Sequence, residues 1–147
     1  MTNQKPKIKK RADSQLSSMA GEFLTAGKLF KRGYQVAVTM GNAKAIDLFI
    51  HNPITDKTFT VQVKALRQKN YFPIRREDIK SDHVYVFVIL KPDLLTEDYF
   101  IIRGEAILSD INRFFGTSYI REKPSTFPGI YHKTLDEFKD NWKLFDE

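Results

Sequence analysis

Residues 45–65 read AIDLFIH (45–51), NPITDK (52–57) and TFTVQVKA (58–65), two strand-like runs around a turn-like hexapeptide. Asn, Pro and Asp between two β-rich runs predict a hairpin. Side chains alternate across a strand, so Ile46, Leu48 and Ile50 share one face and Asp47 takes the other. In the second arm Phe59, Val61 and Val63 share a face, and Thr60, Gln62 and Lys64 share the opposite one. A turn centred on Ile54 and Thr55 puts all six apolar residues together, as pairing requires. It also sets Asp47 opposite Gln62, with Lys64 one step along the same face. One side of the hairpin is therefore core, and the other carries a carboxylate, an amide and an ammonium.

Those three groups have a chemistry in common. A carboxylate and an amide oxygen are hard ligands suited to Mg²⁺, which keeps several waters and binds through one or two carboxylates. A lysine beside them can orient or help deprotonate a water, or hold a phosphate. A strand Asp near a Lys is by itself an ordinary surface ion pair. The joint pattern is what points to chemistry.

Outward from the hairpin, the elements fall into α/β order. Asp13 or Ser14 is placed to cap a helix on which Leu16, Met19, Ala20, Phe23, Leu24 and Phe30 fall at helical spacing. Gly33 stops it after Lys31 and Arg32. Gly21–Lys28 superficially resembles a phosphate loop, but its glycines are one residue too far apart and Leu29 stands where Ser or Thr is needed. A strand is predicted at 35–39. Residues 66–83 are polar and basic, with a short helix around 76–80. Val84–Leu90 is so continuously apolar that it reads as a central strand covered on both faces. A strand at 99–103 and a helix at 105–115 follow, and 116–133 reads as loop. The stretch 134–147 puts Leu135, Phe138, Trp142 and Phe145 on one face of a helix, as core or as a dimer surface.

The composition excludes several classes. The chain has 147 residues, 41% of them apolar and none of them cysteine, which fits one domain without disulfides, thiolate metal sites or a cysteine nucleophile. The longest apolar run, Val84 to Leu90, is far short of the roughly 20 residues that span a bilayer. No apolar stretch follows the N-terminal charges, so a cytoplasmic protein without a membrane partner is expected. The net charge is +6, and Lys5, Lys7, Lys9, Lys10 and Arg11 supply most of it. Residues 1–12 read as a basic flexible tail and 13–147 as one domain. His51, His83 and His132 show no metal-ligand spacing and read as ordinary structural or surface groups, and Asp82 as a strand-end cap.

The helix, the three-strand meander and the following crossover and strand, over residues 14–90, resemble the PD-(D/E)XK nuclease superfamily. Asp47 in AIDL matches the first half-motif and Gln62-Val63-Lys64 the second, with a Gly-containing turn at Gly41-Asn42 as in the resolvase and homing-endonuclease branch. The resemblance implies a restriction-endonuclease-like fold, a central mixed sheet flanked by helices. It implies a metal-dependent endonuclease acting on duplex or branched DNA, and it allows a homodimer. Glu22 on the first helix would join Asp47, Gln62 and Lys64 as catalytic residues. Glu22, Asp47, Gln62 and Val63 would hold Mg²⁺, with Mn²⁺ as a substitute. Two positions depart from the pattern: Ile46 replaces Pro, and Gln62 replaces an acid, removing one negative charge. The alternative is an inactive nuclease-fold protein that binds nucleic acid or another protein. Lys9, Lys10, Arg11, Arg67, Lys69, Arg75 and Arg76 are the expected phosphate contacts, since cations beside such a site hold a backbone in register.

Overall fold

The computed structural model describes residues 10–40, 46–116 and 128–147, without the side chains of 10–13. Helix α1 (Lys10–Lys31) leads into strands β1 (Gln35–Val38), β2 (Leu48–Asn52) and β3 (Lys57–Leu66). A short strand β4 (Tyr71–Pro73) and a 3-10 turn (Arg76–Asp78) precede β5 (His83–Ile89) and β6 (Asp98–Arg103). Helices α2 (Gly104–Ser109) and α3 (Ile111–Phe115), strand β7 (Gly129–Tyr131) and two 3-10 segments (His132–Phe138 and Trp142–Asp146) complete the order. The main sheet runs β1-β2-β3-β5-β6, with β3–β5 parallel and the other pairs antiparallel. The expected α/β class with a central mixed sheet is what the chain adopts.

The β2–β3 ladder pairs Leu48 with Val61, Ile50 with Phe59 and Asn52 with Lys57, the register expected from the turn. Turn chemistry fixes it. The Asn52 carboxamide oxygen accepts the Ile54 and Thr55 amides, and Asp56 takes φ 60° to close the loop.

Two cores cover the two faces of the sheet. Val84, Val86 and Val88 of β5 enter the first with Leu48, Ile50, Phe59, Val61 and Val63, under Ala26 and Leu29 of α1. Tyr85, Phe87 and Ile89 enter the second with Phe72, Phe100, Ile102, Ile107 and Ile130. The apolar β5 run is thus buried on both sides, each such side chain contributing about 1.5–3 kcal/mol. The second layer covers β5, β6 and the end of β3 at Leu66, leaving Thr60, Gln62 and Lys64 only half-buried.

Several expectations are corrected. α1 begins at Lys10, so Asp13 and Ser14 lie inside it rather than capping it, and residues 10–12 belong to the helix, not to a tail. Lys10, Arg11 and Ala12 are all good helix formers, and nothing there stops the helix. The 105–115 helix is two short ones broken at Asp110, at φ −143° and ψ 57°. Segments 66–83 and 116–133 each hold a strand, β4 and β7, which pair with each other. The C-terminal stretch forms 3-10 turns instead of an α-helix. Its apolar residues split between the cores, with Leu135 in the second and Trp142 and Phe145 in the first. Being buried, they offer no dimer surface. Residues 1–9, the Gly41-Asn42 turn and residues 117–127 of the expected loop lie outside the described residues. Among the described residues no helix is long and apolar enough to cross a membrane.

Gly21 lets α1 lie directly on β3. A Cβ there would sit 2.6 Å from Ala65 Cβ and 3.4 Å from Val63 Cγ1. Gly21→Ala therefore costs about 1–3 kcal/mol in urea unfolding despite alanine's better helix propensity. Gly27→Ala, on the exposed side with nothing within 4 Å, gains about 0.5–1 kcal/mol by the same measurement.

Candidate active site

At Asp47 the β2–β3 ladder changes. Leu48 is the last paired residue, opposite Val61, yet the Asp47 amide also donates to the Val61 carbonyl, at 3.0 Å. Two successive residues thus oppose one, a bulge that ends the pairing. Asp47 does not reach the position opposite Gln62 that unbroken pairing would give it. Its main-chain oxygen accepts the Thr39 amide at 2.9 Å, and the Thr39 hydroxyl donates to the Ile46 carbonyl, so β1 holds the bulge from the far side. The carboxylate replaces the missing ladder bond: Asp47 Oδ2 accepts the Val63 amide at 2.7 Å. Strand amides point along the sheet, so this carboxylate lies beside β3 in the gap where β2 departs, between the two faces.

Gln62 is held on the other side of β3. Its Nε2 donates to His83 Nδ1 at 2.9 Å and approaches the Tyr85 hydroxyl at 3.5 Å. An amide nitrogen only donates, so His83 Nδ1 is the acceptor in this contact. Both donors are thereby engaged, and the atom of Gln62 without a partner among the described residues is its oxygen. Tyr85 is itself fixed: its hydroxyl accepts the Lys80 amide at 2.8 Å and donates to the Asp78 carbonyl at 3.3 Å. Burial pushes the Tyr85 phenol up and keeps it a neutral donor.

Lys64 is half-buried two residues along, and among the described residues it makes no ion pair. Asp78 lies within its electrostatic reach. The Arg75 guanidinium hydrogen-bonded to Asp78 holds that carboxyl below its usual range, and Lys64 adds to the effect. Glu22 is buried, only 4% exposed, on the α1 turn whose Gly21 meets Val63 and Ala65. It therefore approaches β3 from the face opposite Gln62 and Lys64. The structure brings Asp47 to Val63, directs Gln62 to His83 and Tyr85 of β5, and sets Glu22 behind the same strand.

The basic patch is exposed. The Arg67 Nε donates to Ser17 Oγ of α1 at 2.9 Å, and Lys69 extends from the β3–β4 loop. Arg75 forms two bonds with Asp78, at 3.0 and 3.2 Å, and Arg76 one with Glu77. These solvent-exposed pairs are screened by water and yield readily to a phosphate. Lys9 lies outside the described residues, as do the side chains of Lys10 and Arg11. Sequence reasoning passed over His83, which sits opposite Thr60 on the neighbouring parallel strand, close to Gln62. Its position at the head of the apolar β5 run was the available signal.

The fold has a counterpart among solved structures. The bacterial homing endonuclease I-Ssp6803I superposes with a TM-score of 0.54 at 16% identity, over 89% of this chain and 91% of that one. No protein-family model matches the sequence, and no curated protein matches it either. At this identity the likeness is one of fold.

Asp47 has a structural role that can be measured apart from chemistry. Asp47→Ala leaves the Val63 amide without its acceptor and costs about 1–3 kcal/mol in urea unfolding, whereas Asp47→Asn keeps an acceptor oxygen and costs under about 1 kcal/mol.

Proposed function

We propose that the chain is a metal-dependent endonuclease that hydrolyses DNA phosphodiester bonds. The observation that carries this reading is the Asp47 carboxylate, pinned to the Val63 amide at 2.7 Å at the edge of β3, the strand that also carries Gln62 and Lys64. The fold shared with a homing endonuclease supports it. In an extended strand the N–H and C=O of one residue point to the same edge, so the Val63 carbonyl opens onto the gap that holds Asp47. Asp47, the Val63 carbonyl and the Gln62 amide oxygen would then hold Mg²⁺, or Mn²⁺ in its place, with Glu22 reaching the gap from α1.

Among the described residues no three carboxylates or imidazoles gather as a metal cluster. The donor set is rich in oxygen and lightly charged, which suits an ion that retains several waters. When bound, the ion would neutralise charge building on the scissile phosphate and acidify its water. The remaining work falls to the chain. Val63 N–H and the β1-braced bulge hold Asp47 in one position. His83 and Tyr85 turn the Gln62 amide so that its oxygen is the free end. Lys64, which makes no ion pair among the described residues, holds the phosphate or orients the attacking water.

A second reading rests on Gln62 itself. An amide where a carboxylate would serve weakens metal binding, and a chain that only binds DNA could carry it. One experiment separates the two. Linear, supercoiled and branched DNA are incubated with the protein and Mg²⁺ or Mn²⁺. Cleavage is expected, with EDTA abolishing it, and Asp47→Asn and Lys64→Ala each lower the rate at least about 100-fold while DNA binding persists. Tight binding without cleavage of any substrate by the wild type would establish the binding module instead. Cleavage untouched by Lys64→Ala would place the chemistry on other residues.

A further inference from the structure

Beside Lys64 the surface opens into a cavity of about 550 Å³ that the proposed chemistry does not use. Lys64 stands on its wall with Asn70, Tyr71, Ile74 and the Arg75–Asp78 pair. The volume is that of a small-molecule site rather than a surface dimple. Its walls differ in character. The Tyr71 ring is 56% exposed and backed by Tyr131, with ring centroids 4.9 Å apart. Ile74 adds an apolar contact. Asn70 Oδ1 accepts the Tyr71 amide at 2.9 Å, so its Nδ2 is the end with hydrogens to donate, and no described residue accepts from it. Arg75 and Asp78 neutralise one another, leaving Lys64 as the unbalanced positive charge on the wall.

We propose that this cavity takes an unpaired nucleobase next to the phosphate held at Lys64, with the base stacked on Tyr71. The proposal rests on the nucleic-acid reading above and narrows its substrate class to DNA that carries, or can expose, an extrahelical base. A paired base shows only its edges, whereas a cavity walled by an aromatic face needs the flat side of a base. Stacking on an aromatic ring accepts every base, and amide donors suit the acceptors that each base carries. The wall is built in advance. Tyr71 pairs with Tyr131 in the β4–β7 ladder, and Gly129 permits that close approach: a Cβ there would stand 2.6 Å from the Phe72 carbonyl and 3.2 Å from Tyr71 Cβ. A ring already fixed in place loses little freedom when a base arrives.

The test uses three DNA probes of one sequence containing 5-iodouracil: a matched duplex, a duplex with the iodouracil as a single-base bulge, and a single strand. Binding is measured in EDTA, and ultraviolet crosslinks are mapped by mass spectrometry of the peptides. The bulged and single-stranded probes should crosslink to Tyr71 and the matched duplex should not. Tyr71→Ala should weaken bulged-DNA binding about tenfold and matched-duplex binding less than about twofold, and Tyr71→Trp should restore it. Tyr71 is exposed, so neither variant disturbs a core, and unchanged circular dichroism verifies this. Equal losses on bulged and matched DNA, or crosslinks that avoid Tyr71, overturn the proposal. Cleavage assays on the same probes keep the two readings apart. Asp47-dependent cutting without a Tyr71 contact removes the pocket and leaves the nuclease. A Tyr71 contact without cutting removes the nuclease and leaves the pocket.

Discussion

The alternation of β3 is the constraint from which the rest follows. Phe59, Val61 and Val63 must enter the first core, so Thr60, Gln62 and Lys64 must face the other way. Parallel pairing with β5 then sets Gln62 beside Tyr85 and Lys64 beside Phe87. A slip of one residue would bury an ammonium among valines and expose Val61 and Val63. Burying that charge would cost several kcal/mol, so the hydrophobic pattern holds the polar side chains in position as firmly as it holds the core.

The polar face stays polar because the second layer ends at β3. Residues that line a half-covered edge need partners for their donors, and each one here has an arrangement of its own. The Val63 amide, deprived of a strand neighbour by the bulge, takes Asp47 Oδ2. Gln62 takes His83 and Tyr85. Such an edge is set by a small number of backbone events.

Much of this was legible in the residues. The hairpin register, the doubly buried β5 and the shared face of Gln62 and Lys64 on β3 followed from period-two patterning and one Asn-led turn. The bulge was not legible, because nothing in Ile46-Asp47-Leu48 distinguishes a paired strand end from one that has slipped. β4 and β7 are three residues each and pair across 58 positions of sequence, so neither carries a local pattern long enough to read. Leu135, Phe138, Trp142 and Phe145 were misread for a different reason. Their spacing fits a helical stripe, but Lys139–Asn141 turns the chain between two cores, with Asp140 at φ 53°. Periodicity cannot show that one apolar series serves two destinations. The His83 contact depended on a parallel crossover, which no linear pattern encodes.

The first core closes late in the chain. The Asn52 carboxamide donates to the Phe145 carbonyl at 2.9 Å, the Tyr34 hydroxyl to Asp146, and Phe145 packs edge-on to Phe59 with ring centroids 5.2 Å apart. During synthesis α1 and the β1–β3 meander leave the ribosome before that C-terminal part of the core exists. The 86 residues from Phe59 to Phe145 take roughly 4–17 s to add at bacterial and eukaryotic elongation speeds. For that interval Tyr34, Asn52 and Phe59 lack the C-terminal groups that pack on them in the finished fold. A ribosome that stalls between the two phenylalanines leaves an adhesive intermediate, so chaperone demand for this protein should track translation speed over residues 60–145 more closely than it tracks the stability of the finished fold.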